Sequence, residues 1–204
     1  MFIKICGMTS ASAVVAAVEC GVDAVGFVFA PSARRVTPEQ AARLCEQAPP
    51  GLLRIAVTQH PEQALVDEIC SVLAPDYLQT DAGDFARLRL AAGVKPLPVL
   101  RQGAAPPRDL PPRFVFEGTV SGSGAVADWN QAGELARRAE MVLAGGLTPA
   151  NVGNAIARVR PYGVDVSSGV ESAPGVKDAR RIAEFVTAVR RAHGQEERHE
   201  ERGS

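Results

Sequence analysis

Histidine, aromatic side chains and long apolar runs are scarce in this chain, and its net charge is close to zero. The three histidines, His60, His193 and His199, do not cluster with the four cysteines, Cys6, Cys20, Cys45 and Cys70, and no cysteines stand at CxxC spacing. That set gives no ground for a zinc centre. A formal charge of −1 supplies neither a basic stripe for nucleic acid nor a polybasic membrane anchor. Any anionic ligand must therefore be held by loops and a few local cations. No apolar run approaches the roughly 18 residues of a membrane helix, and no secretory leader pattern is visible, so the chain reads as cytoplasmic. No helical stretch is conspicuously over-apolar, and no oligomer interface is read from the pattern.

What is present is a regular alternation. Hydrophobic residues make up 46% of 204 positions, enough for one sizeable core and few for two domains. Short apolar runs at Phe2–Cys6, Ala24–Phe29, Leu53–Val57, Tyr77–Gln79, Pro96–Leu100, Phe114–Glu117, Met141–Ala144 and Gly163–Val166 read as strands covered on both faces. Helical patterns lie between them at Ala11–Cys20, Pro38–Gln47, Pro61–Val72, Asp84–Ala91, Trp129–Ala139, Pro149–Val159 and Asp178–Arg191. Thr37-Pro38 and Thr148-Pro149 each put a capping residue before proline at a helix start. Residues 101–112 are too proline-rich for a helix, so the fifth crossover is expected to be reduced or missing.

Units of roughly 25 residues, repeated eight times, predict a small single-domain (β/α)8 TIM barrel over residues 1–191. A doubly wound sheet is the competing architecture. The barrel is favoured because glycine-rich turns follow both early and late strands, and only closure brings the first and last strands together. The polar segment 192–204 has no apolar stripe and reads as a disordered tail. Cys20, Cys45 and Cys70 fall within apolar helical patterns and are expected to be buried reduced thiols.

The loops carry the chemistry. Three glycine-rich turns follow strands six, seven and eight: Gly122 and Gly124 in Ser121-Gly122-Ser123-Gly124, the pair Gly145-Gly146, and Ser167-Ser168-Gly169. Exposed backbone N–H groups at such turns bind oxyanions, and the loops after strands seven and eight are the usual phosphate site of a barrel. After strand two, Arg34 and Arg35 stand within reach of the mouth, where a guanidinium can fork onto a carboxylate. Cys6 ends strand one, with Lys4 two residues back on the same face. Glu117 ends strand six, and Asp165 lies in strand eight. A thiol and a carboxyl facing each other across a barrel mouth can serve as base and acid, provided the thiol can ionise.

Those residues resemble a known family, phosphoribosylanthranilate isomerase of tryptophan biosynthesis. The likeness rests on Lys4-Ile5-Cys6-Gly7-Met8-Thr9, on Asp23–Phe29 followed by Ser32-Ala33-Arg34-Arg35-Val36, and on Ser121–Gly124 with Asp128-Trp129. Leu143–Leu147 and Gly163–Glu171 complete it, over residues 2 to about 190. The resemblance implies an Amadori rearrangement of N-(5'-phosphoribosyl)anthranilate to the carboxyphenylamino-deoxyribulose phosphate, needing no cofactor or metal. It implies Cys6 as base, Glu117 as acid, Arg34 on the anthranilate carboxylate and the glycine-rich turns on the phosphate. Asp165 is read either as a partner of a sugar hydroxyl or as a support for the residues that touch the substrate.

Three segments depart from the family pattern. Strand six usually ends in aspartate, and Glu117 is one methylene longer. The usual Gln-Leu-His-Gly of strand four is Gln79-Thr80-Asp81-Ala82 here, and Gly-Val-Phe-Val of strand three is Ala56-Val57-Thr58-Gln59. Two other readings stay open at this point. One is a different phosphosugar barrel, either a ribulose-phosphate epimerase or an indole-glycerol-phosphate synthase. The other is a barrel that binds a phosphorylated ligand without turning it over.

Overall fold

The computed structural model describes residues 1–46, 48–118 and 128–203, with side chains through Gln195. Eight parallel strands form a closed barrel in chain order: β1 (Phe2–Cys6), β2 (Ala24–Val28), β3 (Leu53–Val57), β4 (Tyr77–Asp81), β5 (Lys95–Arg101), β6 (Arg113–Glu117), β7 (Glu140–Leu143) and β8 (Gly163–Val166). The ring closes where β1 pairs with β8, Lys4 opposite Asp165, which an open doubly wound sheet could not do. Two strands run further at their C-terminal ends than the apolar pattern indicates. β4 extends to Asp81, paired with Val99, and β5 extends to Arg101, paired with Glu117.

The twofold alternation of strand side chains separates two cores. Phe2, Ala24, Ile55, Leu97, Val99, Val115, Val142 and Ala144 fill the barrel interior. Ile5, Phe27, Leu78, Phe116 and Val166 point outward and meet helix residues such as Val66, Ile69, Ile156 and Phe185. At the N-terminal end of the strands the interior is sealed by Phe2 stacked on Tyr162, with the Arg113 guanidinium 4.5 Å from the Tyr162 ring centroid.

The helices are α1 (Ala11–Glu19), α2 (Pro38–Leu44), α3 (Gln63–Leu73), α4 (Trp129–Ala136), α5 (Val152–Val159) and α6 (Ala179–Gly203). Thr37 and Gln40 form the capping box expected at α2, with Pro38 in its first turn. The expected start of α5 moves three residues on. Thr148 and Asn151 exchange backbone-to-side-chain hydrogen bonds there, and the helix begins at Val152. The helix expected over 84–91 is only a 3-10 turn, Ala82–Ala86. Asp84 is buried and takes hydrogen bonds from Thr80 Oγ1 and the His60 backbone, so its side chain serves the loops rather than a helix surface. No helix lies between β5 and β6, as the prolines require.

After β8 a short hairpin, β9 (Glu171–Ala173) and β10 (Val176–Lys177), precedes α6. The α6 backbone is helical to Gly203, through the segment whose polarity suggests a frayed tail. Glutamate, glutamine and arginine dominate that segment and are good helix formers without an apolar stripe. Cys20, Cys45 and Cys70 are free and half-buried, not buried as expected, because each sits at the edge of its helix-to-barrel contact. Among the described residues, no helix is long and apolar enough to cross a membrane.

Candidate active site

At the C-terminal end of the strands lies a cavity of about 360 Å³. Cys6, Arg34, Glu117, Gly145, Gly146, Asp165, Ser167 and Ser168 all line it. The barrel mouth thus brings together eight of the residues singled out from sequence, drawn from strand ends and loops as far apart in the chain as Cys6 and Ser168. Gly122 and Gly124 lie outside the described residues. Gly169 does not line the cavity. A Cβ there would overlap the Leu147 carbonyl, so the residue serves the close approach of the last two loops. Arg35 is exposed and turned away from the cavity.

Beneath Cys6 the interior is charged. Lys4 is fully buried, and its ammonium donates to Asp165 Oδ2 at 2.7 Å. Burial drags the Lys4 pKa down, but Asp165 and Cys6 together outweigh it and leave the group above its ordinary value. Burial pushes the Cys6 thiol up, against the opposing pull of the Lys4 charge. Lys4 therefore keeps its proton and offers a positive partner to the sulfur. Gly26 makes room for this arrangement, since a Cβ there would come within 2.9 Å of Cys6 Sγ and 3.2 Å of Lys4 Cε.

Two buried acceptors in the same space have no hydrogen-bond partner among the described residues: Asp165 Oδ1 and Gln79 Oε1. Buried acceptors of this kind are costly unless a ligand or water supplies a donor, and a polyhydroxylated ligand has donors to give. Gln79 escaped notice in the sequence because an apolar run hides a single inward amide.

On the far side of the mouth Glu117 faces Arg101. Arg101 Nη1 donates to Glu117 Oε1 at 2.5 Å, while its Nε and Nη2 take Asp81 Oδ1 at 2.8 and 2.6 Å. His60 Nε2 approaches Asp81 at 3.4 Å, and its Nδ1 lies 3.0 Å from Asp84. His60, Asp81 and Asp84 are the one metal-like cluster among the described residues. Their carboxylates are already engaged by Arg101 and Arg87, so the donor set is one of ion pairs.

Arg34 is held differently from what a free carboxylate receptor would need. Its Nε and Nη2 fork onto Glu171 at 2.7 and 2.8 Å, leaving Nη1 without a partner among the described residues. Lys177 Nζ also binds Glu171 Oε1 at 2.7 Å and reaches the Ser167 carbonyl at 3.0 Å. Burial raises the Glu171 carboxyl, and the hydrogen bonds from Arg34 and Lys177 more than reverse this, holding it at about 2. Ser167 Oγ in turn donates to the Cys6 carbonyl at 3.0 Å. Arg34, the hairpin after β8 and the end of β1 therefore form one polar unit. Glu171 closes the Gly163–Glu171 segment that carries the resemblance, but neither it nor Lys177 is marked as a partner of Arg34 by sequence spacing.

The Gly145-Gly146 turn has backbone φ of 91° and 64°, a region that costs any other residue strain. Asn151 Nδ2 donates to the Gly146 carbonyl at 2.9 Å and fixes that turn. With Ser167 and Ser168 beside it, this side of the mouth offers backbone N–H groups and hydroxyls rather than a cluster of cations.

Comparison with known proteins gives a consistent result. The family model described as N-(5'phosphoribosyl)anthranilate (PRA) isomerase matches residues 3–188. An N-(5'-phosphoribosyl)anthranilate isomerase from Roseiflexus castenholzii is 40% identical, over 94% of this chain and 99% of its own length. The crystal structure of phosphoribosyl anthranilate isomerase from Thermus thermophilus superposes with a TM-score of 0.81 at 29% identity, covering 93% of this chain and 98% of that one. A phosphoribosyl anthranilate isomerase in complex with reduced 1-(o-carboxyphenylamino)-1-deoxyribulose 5-phosphate has a TM-score of 0.78 at 32% identity, with coverage of 93% and 98%.

Proposed function

Since this chain belongs to the N-(5'-phosphoribosyl)anthranilate isomerase family and is an isomerase of tryptophan biosynthesis, we propose that Cys6 and Glu117 are its base and acid. The observation that carries the assignment is their convergence on one cavity with the Gly145-Gly146 and Ser167-Ser168 turns. The substrate is N-(5'-phosphoribosyl)anthranilate, with its phosphate at those turns. The solved relative bound to a reduced deoxyribulose 5-phosphate supports a ligand of that class.

In this reading Glu117 gives a proton to the furanose ring oxygen as the C1′–O bond breaks, leaving an iminium. Cys6, as thiolate, removes the proton on C2′ and the electron pair of that bond forms the enolamine. The enolamine gains a proton at C1′ and loses the one on the C2′ oxygen, giving the ketone and restoring both groups. Lys4 sits beside the sulfur, where its positive charge favours the thiolate. Asp165 Oδ1 takes a sugar hydroxyl. Arg34 meets the anthranilate carboxylate through its remaining nitrogen, with Glu171 fixing its plane. The chain acts in the cytoplasm on a small molecule, and it needs neither cofactor nor metal for these steps.

The test is a steady-state assay following loss of the fluorescence of freshly generated phosphoribosylanthranilate. Catalytic amounts of enzyme should consume a large excess of substrate. Stoichiometric quenching without turnover would favour the alternative of a barrel that binds the phosphosugar only. That alternative has one observation behind it, the exchange of the usual strand-six aspartate for Glu117.

A further inference from the structure

Glu117 and Asp81 occupy two of the positions where this chain departs from its family's pattern, and a single side chain joins them. Arg101, at the end of β5, lies between them with 2.6 Å to Asp81 Oδ1 and 2.5 Å to Glu117 Oε1. The register explains the meeting. Asp81 pairs with Val99 and Arg101 pairs with Glu117, so the three ends are neighbours around the rim. None of the three side chains is more than 23% exposed.

We propose that Arg101, oriented by Asp81, is a positioning residue that aims the Glu117 carboxyl at the substrate ring oxygen. The proposal rests on the reading of Glu117 as the acid. A guanidinium has five donors and no acceptor. The oxygen that faces Arg101 accepts from it, and a carbonyl oxygen accepts better than a hydroxyl, so the proton that Glu117 delivers is favoured on Oε2. The hydrogen bond from Arg101, which survives protonation of the carboxyl, thereby sets the side-chain rotamer and favours one reactive oxygen. A glutamate needs such a tether more than an aspartate does, having one more rotatable bond to lose. Asp81 supplies the other half of the clamp. Its two contacts hold the plane of the guanidinium, which a lone exposed arginine would not maintain. The aspartate in place of the usual histidine and the glutamate in place of the usual aspartate thus form a matched pair, linked through Arg101.

The experiment measures kcat and KM for phosphoribosylanthranilate in Arg101→Gln, Arg101→Lys, Asp81→Asn, Glu117→Gln and the double variant Arg101→Gln/Glu117→Gln, with thermal midpoints recorded for each. Arg101→Gln should lower kcat on the order of 10–100-fold with KM within about twofold, the size expected when a reacting group is misplaced by about an ångström. Arg101→Lys should recover part of that loss. Asp81→Asn should show a smaller fall of the same kind without a matching fall in thermal midpoint. The double variant should be no slower than Glu117→Gln alone, because Arg101 acts through that carboxyl. Parental kcat in both Arg101→Gln and Asp81→Asn, beside an inactive Glu117→Gln, overturns the relay and leaves the acid assignment standing. Losses that multiply in the double variant, or a raised KM at unchanged kcat, also overturn it and make Arg101 a substrate contact. If Arg101→Gln does not fold, Arg101→Lys and Asp81→Asn carry the decision on the same criteria. Full activity of Glu117→Gln overturns the acid assignment itself.

Discussion

Cys6 stands in a position that its surroundings make both difficult and useful. Burial favours the neutral thiol, whereas the neighbouring Lys4 ammonium favours the thiolate. A base works only when deprotonated, and a raised pKa moves the required pH upward. The pH profile of kcat/KM should therefore still be rising beyond about pH 8.5, the ordinary thiol value, instead of levelling below it. Cys6→Ser removes the proposed base while keeping the shape. It should lower kcat on the order of 10²–10⁴-fold and leave KM near the parental value. Near-normal turnover in that variant would take the sulfur out of the mechanism. For Glu117, the amide variant should be crippled and Glu117→Asp should keep a measurable fraction, since the carboxyl survives but sits farther back.

Strands and loops set these side chains at their distances, and two glycine and carboxylate positions expose how. On β2, Gly26 faces Cys6 and Lys4 so closely that an added methyl must displace them. Gly26→Ala should cost about 1–3 kcal/mol of stability through overpacking and reduce kcat more than KM. Urea denaturation and steady-state kinetics on the same preparation check this, and unchanged kcat would show that the sulfur tolerates a shift. In the hairpin after β8, Glu171 is held at about 2 by Arg34 and Lys177 after burial is overcome. Its folded pKa lies below the unfolded value of about 4.3, so its contribution to stability is complete above that pH and fades as pH falls towards 2. Parent protein should lose stability over that interval more steeply than Glu171→Gln. Denaturation curves at several acidic pH values would show parallel behaviour if the carboxylate contributes nothing.

The barrel as one object depends on its seam. Lys4 and Asp165 lie on the first and last strands, 161 positions apart, and close the ring with a buried ion pair. Removing one member leaves the other charged group without its partner, which typically costs about 3–5 kcal/mol. Lys4→Ala should accordingly lower the denaturation midpoint far more than Arg180→Ala, whose ion pair with Glu184 is exposed. Equal effects would mean that Lys4 is there for Cys6 alone and not for closure.

Much of this molecule could be read without coordinates, because local chemistry repeats itself. The apolar runs of the eight strands, the proline-rich fifth crossover and the Thr37-Pro38 helix start all follow from short-range steric and hydrogen-bonding rules, and they appear where expected. So do the end of β1 at Cys6 and the Gly145-Gly146 turn after β7, since a strand end is a local event. Asp81 and Arg101 were not legible as site residues. Each is the polar last residue of a strand, where hydrophobic alternation stops, and only the parallel register shows that it remains in the ladder. The same holds for Glu171, Lys177 and Gln79, whose partners or lack of them depend on loops far apart in the chain. Periodicity therefore determined which residues face inward and where the chain turns. Closure of the sheet decided which inward residues touch, because charge pairing and desolvation act across space and leave no mark on sequence spacing.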